Sequence, residues 1–161
     1  MLIVGCGCRG RELAEALRAR GHAVRGTTRD PRSLALIEAT GAEPTLASPD
    51  RLATLMPALE HVAILVLLLA GATGPPATVR ALHGERLEAL LRAILDTTVR
   101  GVVYEGEGSL PSELLASGAE TVVAACERSR IPYAIARPST RAGWLPVLLG
   151  AVERVLPAAE A

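Results

Sequence analysis

The sequence predicts an α/β fold: a doubly wound parallel sheet in three layers, with helices on both of its faces. Three observations predict it. Apolar runs of strand length alternate with stretches of helical period along the whole chain of 161 residues. The most apolar run, Val62 to Ala72, shows no alternation of apolar and polar positions, as a strand buried on both faces requires. A glycine-rich turn joins the first strand to the first helix. The length, an apolar fraction of 50% and a formal net charge of zero suit a single domain over 1–161.

The first strand is Leu2-Ile3-Val4. Past the glycines, the periodicity predicts a helix from about Arg11 to Arg20 with Leu13, Ala16 and Leu17 on one face, and Gly21 is suited to end it. A second strand runs from about Ala23 to Thr27. Asp30-Pro31 then marks a helix start, since Asp accepts from free helix N–H groups and proline fits the first helical position. This helix turns Leu34 and Ile37 inward and stops near Gly41. A short third strand covers Pro44 to Leu46, and Ser48-Pro49 repeats the cap-and-proline pattern before a helix expected to place Leu52, Leu55, Met56 and Leu59 inward. The fourth strand spans about His61 to Leu69, and the backbone opens again at Ala70-Gly71. One long helix is expected from Thr78 to Asp96, because Val79, Leu82, Leu87, Leu90, Leu91, Ile94 and Leu95 recur at helical spacing. Gly101 to Tyr104 is the fifth strand, a loop with Gly106 and Gly108 follows, and the next helix is clearest from Ala119 to Arg130. Tyr133 to Arg137 forms the sixth strand before Pro138, and Leu145 to Leu156 a closing helix.

Composition removes whole classes of chemistry. The chain has seventeen arginines and no lysine, asparagine, glutamine or phenylalanine. A side-chain Schiff base, a lysine general base and the P-loop lysine are therefore excluded, as is an N-glycosylation sequon. The balanced charge supplies no basic field, and nucleic acid is not an expected partner. Three cysteines, Cys6, Cys8 and Cys126, in a chain long enough to form a core without cross-links point to a reducing, cytoplasmic location. No export signal is visible, and the Val62–Ala72 run falls short of the about 20 residues of a membrane helix, so no membrane association is expected. His22, His61 and His83 lie on different elements without ligand spacing, and no metal is expected. A G-x-S-x-G elbow, which would expose a hydrolase serine, is also missing.

Gly5-Cys6-Gly7-Cys8-Arg9-Gly10 matches G-x-G-x-x-G, and its context gives the match meaning: it follows an apolar strand, opens a helix and sits in a βαβ unit that closes within about 30 residues. Gly5 permits the tight turn, Gly7 lets a pyrophosphate approach the backbone, and Gly10 allows close packing of helix on strand. Cys8 and Arg9 stand inside the loop, where the Arg9 guanidinium has reach to a phosphate. The residues after strand two read Thr28-Arg29-Asp30. Arg29 offers charge-assisted bonds to a 2′-phosphate and the Thr28 hydroxyl a second bond, which points to NADP. The alternative keeps Asp30 as a ribose ligand and NAD as the cofactor.

Leu2-Ile-Val-Gly-Cys-Gly, Arg20-Gly-His-Ala-Val-Arg, Thr28-Arg-Asp-Pro and Ile131-Pro-Tyr-Ala-Ile-Ala-Arg-Pro138 together resemble the atypical short-chain dehydrogenase/reductase superfamily, in its extended, epimerase-like and NmrA-like branches. The resemblance covers nearly the whole chain. It implies a Rossmann-like sheet of strand order 3-2-1-4-5-6, with NAD(P) across the carboxyl ends of the strands. It also implies that Leu69 and Ala70 line the adenosine-ribose side and that Pro138 lies near the nicotinamide. In that family the helices corresponding to those from Thr78 and up to Arg130 pair into a four-helix bundle, which implies a homodimer.

The departures from the family are equally informative. Its Tyr-x-x-x-Lys pair has no counterpart, since lysine is absent and Tyr104 and Tyr133 fall on strands. Glu105-Gly106 stands where its serine is expected, and Thr45 lies near the place of an acidic residue that often contacts adenine. The substrate region is reduced to roughly the twenty residues after Pro138. Glu105 and Glu107 follow strand five, and either, Glu105 first, is a candidate for a general acid or base if burial raises its pKa; a solvated loop carboxylate is the alternative. Cys6 and Cys8 flank the phosphate turn and would form a redox-responsive pair only if their thiols were activated there. Trp144 belongs either to the core or over the nicotinamide end. Two functions follow: an NAD(P)-dependent oxidoreductase or epimerase-like enzyme acting on an unidentified small molecule, or a non-catalytic NAD(P) sensor that acts through a regulatory protein partner.

Overall fold

The computed structural model describes residues 1–158 and contains a six-stranded, wholly parallel sheet in the order β3-β2-β1-β4-β5-β6. In chain order the elements are β1 (Leu2–Val4), α1 (Cys8–Ala19), β2 (Arg25–Thr28), α2 (Leu34–Glu38), β3 (Glu43–Leu46), α3 (Leu52–Ala58), β4 (Ile64–Leu67), α4 (Pro76–Leu82), α5 (Glu85–Ala93), β5 (Gly101–Glu105), α6 (Ser112–Ser129), β6 (Tyr133–Ala136) and α7 (Arg141–Val155). The doubly wound class and the strand order expected above are both met.

Alternation along the central strands divides the interior in two. Leu2, Val4, Leu65, Leu67, Val102 and Tyr104 face α3–α6, and Leu55, Leu90, Leu91 and Val122 close that side. Ile3, Ile64, Val66 and Val103 face the other way, against α1, α2 and α7, through Leu13, Leu17, Ile37, Leu148 and Val152. Arg141 to Glu12 and Arg20 to Glu153 tie α7 to α1 near both ends. The register places Val4 opposite Leu67, Leu67 opposite Tyr104 and Tyr104 opposite Ile135, so the carboxyl ends of β1, β4, β5 and β6 stop at one level. Past that level the chain turns from β1 to one face and from β4 to the other, which opens a crevice between them.

Three expectations are corrected. The helix expected over Thr78–Asp96 is two helices, broken at His83-Gly84, where Gly84 leaves helical geometry at φ −119° and ψ −108°. The break has a physical cause: the His83 ring is drawn into the interior, 2.6 Å from the Tyr104 hydroxyl and 3.0 Å from the Leu69 carbonyl. Ser48-Pro49 does not cap α3; Ser48 instead closes a turn, accepting from the Asp50 N–H, and the helix opens at Leu52. Met56 is consequently exposed, while Leu55, Ala58 and Leu59 carry the buried face. The helix clearest from Ala119 begins seven residues earlier, at Ser112. No described helix is long and apolar enough to cross a membrane.

A carbonyl only accepts, so His83 Nε2 carries the hydrogen toward Leu69 and neutral Nδ1 accepts from Tyr104. Gly118 of α6 makes room for this pair, since a Cβ there would strike the tyrosine hydroxyl. Burial holds the His83 pKa below its ordinary 6.5, against the smaller opposing effect of the Leu69 hydrogen bond. The unfolded chain therefore takes up a proton at this site before the folded one does. The stability contributed by the neutral ring is present above 6.5 and is lost as pH falls below it. Urea unfolding followed between about pH 7.5 and 5.5 is expected to show this loss in the native chain, and a smaller loss over the same interval in His83→Gln.

Candidate functional site

The crevice at the carboxyl ends of β1, β2 and β4 has a volume of about 370 Å³. Its floor is the loop from Gly5 to Gly10. Gly5 adopts φ +84°, and a Cβ there would collide with the Leu68 carbonyl, so only glycine lets β1 and β4 lie this close at their ends. At Gly7 the reverse holds: a Cβ would meet nothing within 4 Å, which leaves open space directly over the backbone. Gly7 is also the N-cap of α1, no side chain caps that helix and its first turn holds no acidic residue. Its leading N–H groups are thus left to face an anion, in the geometry that suits a pyrophosphate.

The end beside β2 is polar. Thr28 and Arg29 line it, and Asp30 does not. The Asp30 carboxylate is turned outward, accepting from Arg32 Nε and Nη2 at 3.0 to 3.2 Å and from the Arg32 N–H at 3.0 Å. Hydrogen bonds from the Arg32 side chain and backbone hold its carboxyl below the usual range. Arg29 is half-exposed, 3.7 Å from Asp50 and within 3.4 Å of the Thr73 carbonyl. Asp50 lines the same end of the crevice, and sequence reasoning missed it by looking near Thr45. The turn residues Ser48-Pro49-Asp50 at the carboxyl edge of β3 were the available signal.

At the opposite end stands Glu105, the last residue of β5, only 2% exposed. Its Oε1 accepts from Trp144 Nε1 at 2.6 Å and lies 3.6 Å from an Arg9 guanidinium nitrogen. The same guanidinium lies 5.5 Å from the centroid of the Trp144 ring. A buried carboxylate is thereby given one hydrogen-bond donor and one cation. Glu105 is neither solvated nor on a loop, and Trp144 is both buried and a wall of the crevice.

Gly5, Gly7, Cys8, Arg9, Gly10, Thr28, Arg29 and Leu69 therefore border one crevice together with Glu105. Two residues named with them do not. Ala70 is fully buried behind the wall, its carbonyl accepting from the Leu110 N–H. Pro138 lines an adjoining cavity, reached past Arg9 and Trp144. Cys6 is buried, and burial pushes its thiol up to about 11, while Cys8 is exposed; both are free thiols. Among the described residues no cluster of three or more His, Cys, Asp or Glu is arranged to hold a metal ion.

No protein-family model matches the chain, and no curated protein matches its sequence. Solved structures do match in fold. The protein gox2253 superposes with a TM-score of 0.70 at 23% identity, over 86% of this chain and 51% of that one. A short-chain dehydrogenase/reductase superfamily protein from Agrobacterium tumefaciens, with bound NAD, gives 0.68 at 25% identity over 84% and 48%. The triphenylmethane reductase of Citrobacter sp., complexed with NADP(H), gives 0.65 at 17% identity over 88% and 50%. The chain spans about half the length of each. The resemblance read from the sequence is met at the level of the fold.

The Glu105–Trp144 bond makes a testable claim about the site's architecture. Trp144→Phe is expected to lower stability by about 1–3 kcal/mol, because it strands a buried acceptor. In the double variant Trp144→Phe/Glu105→Leu, donor and acceptor leave together and the loss is expected to be smaller than the sum of the single losses. Urea denaturation of the four proteins measures both.

Proposed function

We propose that this chain binds a nicotinamide dinucleotide across its crevice, NADP(H) in preference to NAD(H), as an atypical member of the short-chain dehydrogenase/reductase type. The carrying observation is the division of charge after β2: Arg29 and Thr28 face the crevice, while Asp30 is engaged by Arg32 and faces out. A carboxylate so engaged is less available to a ribose 2′-hydroxyl, whereas Arg29 offers charge-assisted bonds to a 2′-phosphate. The open space over Gly7 and the uncapped start of α1 suit the pyrophosphate. Similarity to proteins solved with NAD or NADP(H) supports the cofactor class.

When bound, the nicotinamide supplies or accepts a hydride. The chain's own residues must then handle the proton, and the options are few. Lysine is absent, Tyr104 donates to His83 in the core, and Tyr133 donates to Glu127 at 2.9 Å. Glu105 is the carboxylate bordering the far end of the crevice, with Trp144 and Arg9 fixing its orientation. It holds or releases a proton there, or leaves that task to water, in a reductase or epimerase-like reaction. A second reading is favoured by the missing lysine itself: an NADP(H) sensor that binds without turnover and reports to a protein partner.

Calorimetric titration tests the cofactor assignment. NADPH is expected to bind more tightly than NADH, and Arg29→Ala to weaken NADPH by roughly tenfold or more, the scale of a charge-assisted bond, with little effect on NADH. Asp50→Asn is expected to strengthen NADPH binding, because it removes a carboxylate 3.7 Å from Arg29. Equal affinities for both dinucleotides and no response to Arg29→Ala would overturn the NADP preference.

NADPH oxidation with a panel of carbonyl compounds separates the two roles. Turnover lost in Glu105→Ala supports the enzyme, and tight binding without turnover supports the sensor.

A further inference from the structure

Beside the crevice lies a second cavity of about 550 Å³. Arg9 and Trp144 line both and form the partition between them. The far wall is the chain between β6 and α7, from Arg137 to Arg141, and the near rim is Glu107-Gly108, just past β5. The lining thus carries three guanidinium groups against one carboxylate.

The three arginines differ in how their charge is already used. Arg9 lies beside Glu105 and over the Trp144 ring. Arg141 donates to Glu12 at 3.0 Å. Arg137 is exposed and, among the described residues, has no carboxylate within 4.0 Å, not even Glu107, which lines the same cavity. Its stem lies against Gly106, with Cγ 3.6 Å from the point a Cβ would occupy there. The neighbouring Thr140 hydroxyl accepts from the Gly143 N–H at 3.0 Å and keeps its own hydrogen to donate. An arginine cannot give up its proton, so this charge is permanent, and its planar fork of donors matches the oxygen geometry of a carboxylate or phosphate.

We propose that the second cavity is the subsite of a small anionic substrate, whose carboxylate or phosphate group is anchored by Arg137 and flanked by Arg9 and Arg141. The proposal rests on the dinucleotide assignment for its role in a reaction, because only a cofactor in the adjoining crevice makes the cavity a substrate site. Binding of the anion itself does not depend on that assignment. Arg137 is a binding residue here, and Glu107 opposes it: removal of the two charges has opposite effects on an anion, which a general loss of structure would not produce.

The test uses pyruvate, inorganic phosphate and neutral methyl pyruvate as probes, titrated into the full chain with and without NADPH. Arginine Nε–H and backbone amide signals are followed by ¹H–¹⁵N NMR. At least one of the two anions is expected to shift the signals of residues 137–141, and methyl pyruvate is not. A response to pyruvate alone assigns a carboxylate, and one to phosphate alone assigns a phosphate group. Arg137→Gln is expected to weaken the anion by about tenfold or more, leaving NADPH affinity unchanged, while Glu107→Gln strengthens anion binding. No shift with either anion, methyl pyruvate binding as well as pyruvate, or unchanged anion affinity in Arg137→Gln would each overturn the proposal. Should NADPH fail to bind while the anion response at Arg137 persists, the dinucleotide assignment falls and the anion site stands.

Discussion

The Leu68 carbonyl passes where the side chain of residue 5 would stand, and the site depends on that close approach. It holds the ends of β1 and β4 together at the point where the chain leaves them for opposite faces of the sheet. The crevice is the space between those two departures, which is where open parallel sheets place their ligands. A residue with a Cβ at position 5 would have to push the strands apart, and the row of aligned carboxyl ends would lose its level.

Charge in this crevice is managed without lysine. Arg29 faces Asp50, Arg32 takes Asp30, and Arg9 lies beside Glu105. Guanidinium groups stay protonated throughout the physiological range, so the positive charge at both ends is permanent and its placement is set by geometry. The exposed pairs contribute little stability individually; what they decide is which charges turn toward a ligand. Asp30 is engaged by its neighbour two residues on, and the polar end of the crevice beside β2 is lined by Arg29 together with Asp50.

Two buried polar sets stiffen the walls. Tyr104 donates to His83, which donates to the Leu69 carbonyl, and this fixes the chain just past β4. Trp144 donates to Glu105, and this fixes α7 against the end of β5. Among the described residues every buried side-chain nitrogen and oxygen has a hydrogen-bond partner. Such sets are stiff because a displaced member leaves an unpaired group in a poorly solvated place.

The local grammar of the chain was legible because its signals are short in range. An unbroken apolar run marks β4, a glycine pattern after a strand marks the turn into α1, and Asp30-Pro31 marks a start that the structure keeps, with Asp30 accepting from the Arg32 N–H. By itself the sequence determined the parallel layered sheet, the glycine loop and the chemistry excluded by the absence of lysine. What it could not express was distance between residues far apart along the chain. Periodicity runs straight through His83-Gly84, and the helix breaks there, where the His83 ring meets the Tyr104 hydroxyl, twenty-one residues away, and the Leu69 carbonyl. Glu105 and Trp144 are separated by 39 positions, Arg29 and Asp50 by many turns of chain, and Arg9 reaches Glu105 only because β1 and β5 end at one level. Tertiary structure alone decided which carboxylates stay available and which arginines are already engaged, because pairing is settled by packing in three dimensions and leaves no period in the sequence.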